Sequence, residues 1–400
     1  MSAEVSDTAF MNFNLTTDQI AFADSVDRLA RTELAPSALA RAHSHEYPWD
    51  VARLFAENGL LGITMSEADG GQGGTLMDAV IAIQTIAKHC PKSADIVQAG
   101  NFGPIRTFAE YASPRLKEKY LRDLLAGRTL IGLGMSEPGA GSAVTELATT
   151  ATKVAGGYRI NGTKVFSTHS PTATAFLVYV RFGEGESAKG VGAIGSVVVD
   201  RDAPGLSIGQ PSSFMSGEEW SQLYFDDCFV PDENLLLGAG GFKKQISGFN
   251  VERLGNSSRA LALGRFAFER AKTYALERKQ FGKRIADFQG IQWKFAEMAA
   301  KLDAAQLLLY RAASNADADA GSGLPSAYET SIAKYLCNTA GFEVANEALQ
   351  VMGASGYSQM ELVEYCLRRT RGWMIAGGSI EILKNRIAEE VFETKFDQRG

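Results

Sequence analysis

Met135 to Ala143 reads MSEPGAGSA and lies just past the point where the character of the chain changes. Upstream, from about Leu15 to Leu130, apolar residues recur at helical spacing. From about Ile131 to Leu237 the pattern is that of short strands and turns. After Gly240 and Gly241 helical periodicity returns and holds almost to the end. The order is therefore α, then β, then α. Segregated runs of this kind point to separate layers or domains, not to an alternating βαβ fold. Within the stretch itself, Pro138, Gly139 and Gly141 break any helix or strand. The glycines would let a flat ligand or a phosphate approach the backbone, and Ser136 and Ser142 add hydroxyl donors. A plain surface loop would read the same way.

In the first segment, Thr16 or Thr17 is placed to cap a helix carrying Ile20, Phe22, Val26, Leu29 and Ala30 on one face. Residues 49–60 and 77–88 predict two more helices. Between them EADGGQGG, Glu67 to Gly74, is read as a connection, because no strand and G-x-G-x-x-G context surrounds it. In the second segment, Gly156-Gly157 and Asn161-Gly162 predict two hairpin turns. Further strands are expected at Ala175–Arg181, Ile194–Val199 and Ser221–Phe225, punctuated by Pro204-Gly205 and Pro231. In the third, helices are expected near 243–275, 288–315, 326–352, 361–373 and from 379, with Asp317 to Pro325, DADAGSGLP, as a linker.

The net charge of −6 argues against a nucleic-acid binder, which needs a basic face. A local basic pocket for a phosphate-bearing ligand remains compatible with it. The four cysteines form no CxxC pair, so neither a metal nor a redox motif is supported. Their small number fits a reducing compartment. The start, MSAEVSDTAFMNFN, has no basic region followed by an apolar run, so no signal peptide is expected. No apolar segment is long enough to span a membrane. The expected location is cytoplasmic.

A second signature, ALERKQFGKRIADFQ, runs from Ala275 to Gln289. With MSEPGAGSA, LTTDQ (Leu15 to Gln19), FDDCFVPDENLL (Phe225 to Leu236) and EALQVMGASGY (Glu347 to Tyr357), it resembles the acyl-CoA dehydrogenase family, FAD enzymes that desaturate acyl thioesters. The resemblance covers the chain from Leu15 to about Glu390. It implies a multidomain α+β fold: an N-terminal all-α domain over 1–130, a middle antiparallel β-domain over 131–240 and a C-terminal four-helix bundle over 241–400.

It also implies a flavin site. Met135 and Ser136 would contact the flavin through the backbone and a hydroxyl. KVFST places Phe166 against the ring and Thr168 on its N5 side; without the resemblance they read as two ordinary strand residues. Arg278 and Phe281 would share one helix face if the helix extends that far, suiting a pyrophosphate and an adenine. By the resemblance they grip, with Gln289, the FAD of a neighbouring subunit, and Gln350 and Gly353 match positions near that dinucleotide. The implied assembly is a homo-oligomer, usually a tetramer. Alone, Arg278 is a solvated charge among Glu277, Lys279 and Lys283.

The implied reaction removes a proton from the thioester α-carbon and a hydride from the β-carbon, the hydride going to flavin N5. It needs a positioned carboxylate. Many members carry that Glu near the C-terminus, where this chain has IAGGS, Ile375 to Ser379, with Gly377 at the position. A subset carries the base on the first helix of the C-terminal domain, in a Glu-Arg motif. NVERL supplies Glu252 and Arg253, and Glu252 becomes the expected base, Arg253 a structural or ligand-orienting partner. In isolation the two are a surface pair of a common kind.

Ser142 matches a position that touches the pantetheine arm, and Ala143 stands where the family usually has Asp. CPKSADIVQ, Cys90 to Gln98, should line the acyl pocket. Lys92, Asp95 and Gln98 are polar there, so either they face solvent or the pocket suits a polar acyl group, a carboxylated one included. His169 either faces the site or is structural. The implied partners are an acyl-CoA and an electron-transferring flavoprotein. Two other readings stay open: an atypical member, such as an acyl-carrier-protein dehydrogenase, a flavin oxidase, an oxygenase or a desulfinase, or a non-catalytic subunit of a heteromeric dehydrogenase.

Overall fold

A computed structural model describes residues 14–183, 190–318 and 324–396. The N-terminal stretch read for a leader lies, up to residue 13, outside the described residues, as do residues 319–323 of the expected linker.

Thr16 caps the helix Thr17–Leu29 through a reciprocal pair: its hydroxyl accepts from Gln19 N at 3.2 Å, and Gln19 Oε1 accepts from Thr16 N at 3.0 Å. Trp49–Glu57 follows, and then Leu76–Ala87, almost wholly buried. Burial on all sides has a cause, since this helix is wedged against the C-terminal helices. Ser258 donates to Val80 O at 3.2 Å, Gln84 bonds Gln306 at 3.0 Å, and the Asp317 carboxylate accepts from Leu76 N and Met77 N at 2.9 and 3.0 Å. One hydrophobic core therefore runs through both helical segments. The loop Glu67 to Gly74 is a connection, as read. Its Gly70, Gly71, Gly73 and Gly74 amides all donate to carbonyls within residues 63–67, which leaves them no phosphate to cradle.

Among the described residues the middle segment is a nine-stranded sheet. Seven of these strands run in the order Leu206–Ile208, Glu219–Pro231, Gly157–Thr168, Thr150–Val154, Ala175–Phe182, Ile194–Asp200, Leu235–Leu237; off this path Ile131–Gly134 pairs with Ala175–Phe182 and Ser212–Ser213 with Glu219–Pro231. Most pairings are antiparallel, but Ile131–Gly134 and Thr150–Val154 both run parallel to Ala175–Phe182, so the sheet is mixed. Gly156-Gly157 turns a hairpin as expected. Asn161-Gly162 does not. It lies inside the strand Gly157–Thr168, at a bulge opposite Glu219–Pro231. The Asn161 side chain is held there by Asp227, with Nδ2 donating to Oδ1 at 3.0 Å and Asp227 N donating to Oδ1 of Asn161 at 2.9 Å. A Cβ on Gly162 would meet Thr149 Oγ1 at 2.5 Å, so the glycine serves a close approach and not a turn.

The third segment comprises Phe242–Glu277, Gln289–Ala318, Ala327–Met352, Val363–Trp373 and Ile380–Val391. Small residues let the first and third of these helices touch: a Cβ on Gly341 would stand 2.2 Å from Ala260 O. Among the described residues no helix is long and apolar enough to cross a membrane, and no group of three or more His, Cys, Asp or Glu side chains is arranged for a metal.

Candidate active site

The loop after Ile131–Gly134 is fixed from below. Lys164 Nζ lies 2.6 Å from Glu137 Oε1, both side chains buried, and Glu137 also accepts from Ala148 N at 2.6 Å and Thr149 N at 3.0 Å. Burial works against the Glu137 charge, yet Lys164 and these amides outweigh it and hold the carboxyl below its ordinary range. Burial takes Lys164 down to about 8. The same ammonium donates to Met135 O at 3.3 Å, and Val165 N donates to Ser136 O at 2.9 Å. The backbone of Met135 and Ser136 is thus pinned while Gly139, Gly141 and Ser142 stay exposed, with open space around both glycines.

Facing the loop's strand is an aromatic surface. Phe166 stands at a bulge with φ 56° and is 57% exposed. Trp220, paired in register with Thr168, lies 4.6 Å from the Phe166 ring, and Phe214 stacks on Trp220 at 5.8 Å. A large apolar side chain held outward in a strained backbone conformation fits a flat aromatic ligand better than it fits water. Phe166 and Thr168 are the residues expected here; Trp220, whose partner strand the sequence does not assign, is not among them.

Arg278 and Phe281 do not share a helix face. The helix ends at Glu277, Arg278 caps it, and Phe281 sits at the tip of a hairpin between Lys279-Gln280 and Lys283-Arg284 with φ 53°. Gly282, with φ 79°, makes the turn. Phe281 is 92% exposed, and Gln289 begins the next helix. Gln350 and Gly353 lie at the end of Ala327–Met352, brought to the same end of the bundle by the Lys301–Glu343 and Lys294–Glu347 ion pairs. Among the described residues no hydrogen bond or ring contact joins this group to Met135, Ser136, Phe166 or Thr168. The two groups nonetheless suit the two halves of a dinucleotide: an aromatic surface beside a pinned loop, and an exposed Arg with an exposed Phe.

Glu252 is on Phe242–Glu277, with its Oε2 sealed from solvent. Burial pushes its carboxyl up, opposed by Arg259, Gln98, Lys334 and Asn256. Asn256 Nδ2 donates to Glu252 Oε1 at 3.1 Å. Gln98, only 4% exposed, faces the carboxylate closely enough to favour its ionised form without completing a hydrogen bond. Gly103, with φ 69°, leaves room for the acid: a Cβ there would meet Oε2 at 2.7 Å. Arg253 donates to Asn250 Oδ1 at 3.0 Å and lies against Gly378, and burial lowers it to about 10.

The polar stretch from Cys90 to Gln98 takes neither of its two expected forms in full. Lys92 turns to the carbonyl of Ser44. Asp95 is neutralised inside the protein, 3.1 Å from Arg259 and 2.9 Å from Arg369. Arg369 also binds Glu218, which lies 3.2 Å from His169. Both guanidiniums stack on Trp373, at 4.6 and 4.8 Å. His169 is therefore engaged in this lattice. Asn256, Arg259, Glu218, Arg369 and Lys334 escaped the sequence reading. Only the spacing of Glu252, Asn256 and Arg259 along one helix face could have signalled any of them.

With this geometry in view, comparison with known proteins gives consistent matches along the chain. Residues 16–128, 132–228 and 239–392 match the N-terminal, middle and C-terminal domains of acyl-CoA dehydrogenase. A 3-sulfinopropanoyl-CoA desulfinase of Paraburkholderia xenovorans is 33% identical over 97% of this chain and 99% of its own. A benzylmalonyl-CoA dehydrogenase of Aromatoleum aromaticum is 34% identical over 95% of this chain and 100% of its own. The solved butyryl-CoA dehydrogenase of Megasphaera elsdenii superposes with a TM-score of 0.86 at 28% identity, covering 96% of this chain and 100% of that one.

Proposed function

Because this chain belongs to the acyl-CoA dehydrogenase family, whose cofactor is FAD, we propose that it oxidises an acyl-CoA thioester to the trans-2-enoyl-CoA with Glu252 as the base. The observation that carries this reading is the Glu252 carboxylate, with Oε1 held by Asn256 and Oε2 buried and without a hydrogen bond among the described residues. An α-proton needs such an acceptor at fixed geometry. Bound FAD supplies the hydride acceptor for the β-carbon.

In this reading Met135, Ser136, Phe166 and Thr168 hold the flavin, and Ser142 meets the pantetheine arm. Arg253, Lys92, Asp95 and Gln98 shape the acyl side. The distant, exposed group of Arg278, Phe281, Gln289, Gln350 and Gly353 holds the dinucleotide of a second copy, which makes the enzyme a homo-oligomer, on the family pattern a tetramer. Electrons pass on to an electron-transferring flavoprotein.

Desulfination is the competing reading, favoured by the desulfinase relative and by the cluster of ion pairs around Asp95. Loss of a sulfinate group removes no α-proton, and the built position of Glu252 therefore speaks for dehydrogenation. Anaerobic titration of the yellow protein with butyryl-, isobutyryl-, glutaryl- and 3-sulfinopropanoyl-CoA decides. Bleaching of the visible flavin band by a member of the panel supports dehydrogenation. Sulfite release without bleaching overturns it.

A further inference from the structure

Glu252, Asn256 and Arg259 stand on successive turns of one helix face. Arg259 Nη2 donates to Asn256 Oδ1 at 2.5 Å, and Asn256 Nδ2 donates to Glu252 Oε1 at 3.1 Å. The order of donors is forced. A guanidinium has no acceptor, so it must meet the amide oxygen, and the amide nitrogen is then the atom that faces the acid. Arg259 cannot turn away, because Asp95 binds it from the helix Ala94–Asn101 and Trp373 stacks on it. Oε1 is thereby engaged. Oε2 is buried, receives no hydrogen bond among the described residues and lies beside Gly103.

We propose that Asn256, oriented by Arg259, is a positioning residue that fixes which oxygen of Glu252 takes the α-proton: Oε1 is held and Oε2 reacts. The proposal rests on Glu252 being the base. The other groups facing the carboxylate are Gln98 from Ala94–Asn101 and Lys334 from Ala327–Met352, with Arg253 beside Lys334. All but Arg253 act directly on Glu252 and favour its charged form, as Asn256 and Arg259 do. Removing the Asn256 donor therefore raises the pH at which the base ionises.

The test is an infrared difference titration of the FAD-loaded protein, the Glu252 band being the one lost in Glu252→Gln. Asn256→Leu moves its midpoint up by about one pH unit. Asn256→Asp keeps the shape but offers a second carboxylate in place of the donor, and moves it at least as far. Asn256→Ser retains a donor and falls between parent and Leu. The rising limb of flavin reduction by the best panel acyl-CoA follows the same order, at unchanged FAD content. Midpoints that superimpose on the parent's, or a rate loss independent of pH, overturn the proposal. If Asn256→Leu fails to hold FAD, the Asp variant decides alone. Full turnover by Glu252→Gln removes the base assignment itself, whereas a dead Glu252→Gln with unmoved Asn256 midpoints removes only the positioning role.

Discussion

A Cβ placed on Gly377 would stand 2.8 Å from Asn256 Nδ2. The amide that holds Glu252 occupies the space into which a side chain at 377 would project, and Gly377 itself adopts φ 71°. A side chain at 377 is incompatible with Asn256 in this position. Gly377→Glu should therefore displace Asn256 and cost about 1–3 kcal/mol of stability, from overpacking and backbone strain. It should slow flavin reduction, not restore a base. Thermal midpoints and single-turnover rates check this, and a variant as stable and as fast as the parent contradicts it.

Glu252→Gln should retain FAD and acyl-CoA binding while flavin reduction falls by about 10²–10⁴-fold. In the parent, burial raises the Glu252 carboxyl, and a base acts only when ionised. The parent rate should therefore climb with pH through a midpoint above the ordinary carboxylate range, and the residual rate of the variant should be flat. Stopped-flow reduction between pH 5 and 9 reads both.

Glu137→Gln should destabilise the protein by about 3–5 kcal/mol, because it leaves the Lys164 charge buried without its partner. The Met135–Ser136 backbone hangs on that ammonium, so flavin retention should fall with stability. Flavin absorbance after gel filtration and urea midpoints measure the two effects. Full flavin retention would separate the ion pair from the loop.

Lys334 is buried, and among the described residues its hydrogen-bond partners are the carbonyls of Trp373 and Gly378, at 3.1 and 2.9 Å. Burial brings it down to about 7 from its ordinary 10.5. Between these values the unfolded chain binds the extra proton, so parent stability rises with pH, by at most about 1.4 kcal/mol per pH unit. Below about 7 the ammonium is charged in both states and that gain is absent. Lys334→Met should lose this slope. Parallel urea midpoints for parent and variant at pH 7, 8 and 9 would show that the amine stays charged.

Phe281→Ala should change the stability of the single chain by less than about 0.5 kcal/mol, since the ring is 92% exposed. It should nevertheless weaken FAD retention, if the ring serves a neighbour's cofactor. Unchanged FAD affinity by fluorescence titration would leave Phe281 without that role.

The site was legible in the sequence where its meaning is local. Thr16 or Thr17 announces a cap, Gly156-Gly157 announces a hairpin, and Pro138 with Gly139 and Gly141 announces a loop, because each rule acts within a few residues. Asn161-Gly162 reads the same as a hairpin turn. Only Thr149 and Asp227, which reach it through strand pairing, make it a bulge. Arg278 and Phe281 were singled out with a shared helix face as the condition, and that condition fails, since where the helix stops depends on the Lys279–Arg284 pairing beyond it.

By itself, the sequence determined the α, β, α order, the family resemblance and the shortlist of candidate site residues. Periodicity, turn chemistry and motif are properties of neighbours along the chain. The tertiary structure alone decided how Glu252 is held. Asp95, Glu218, Arg259 and Arg369 come from three separated segments, and their charges cancel only once burial has brought them together. Burial strengthens such pairs and penalises any group left unpaired, and distance along the chain carries no trace of either effect.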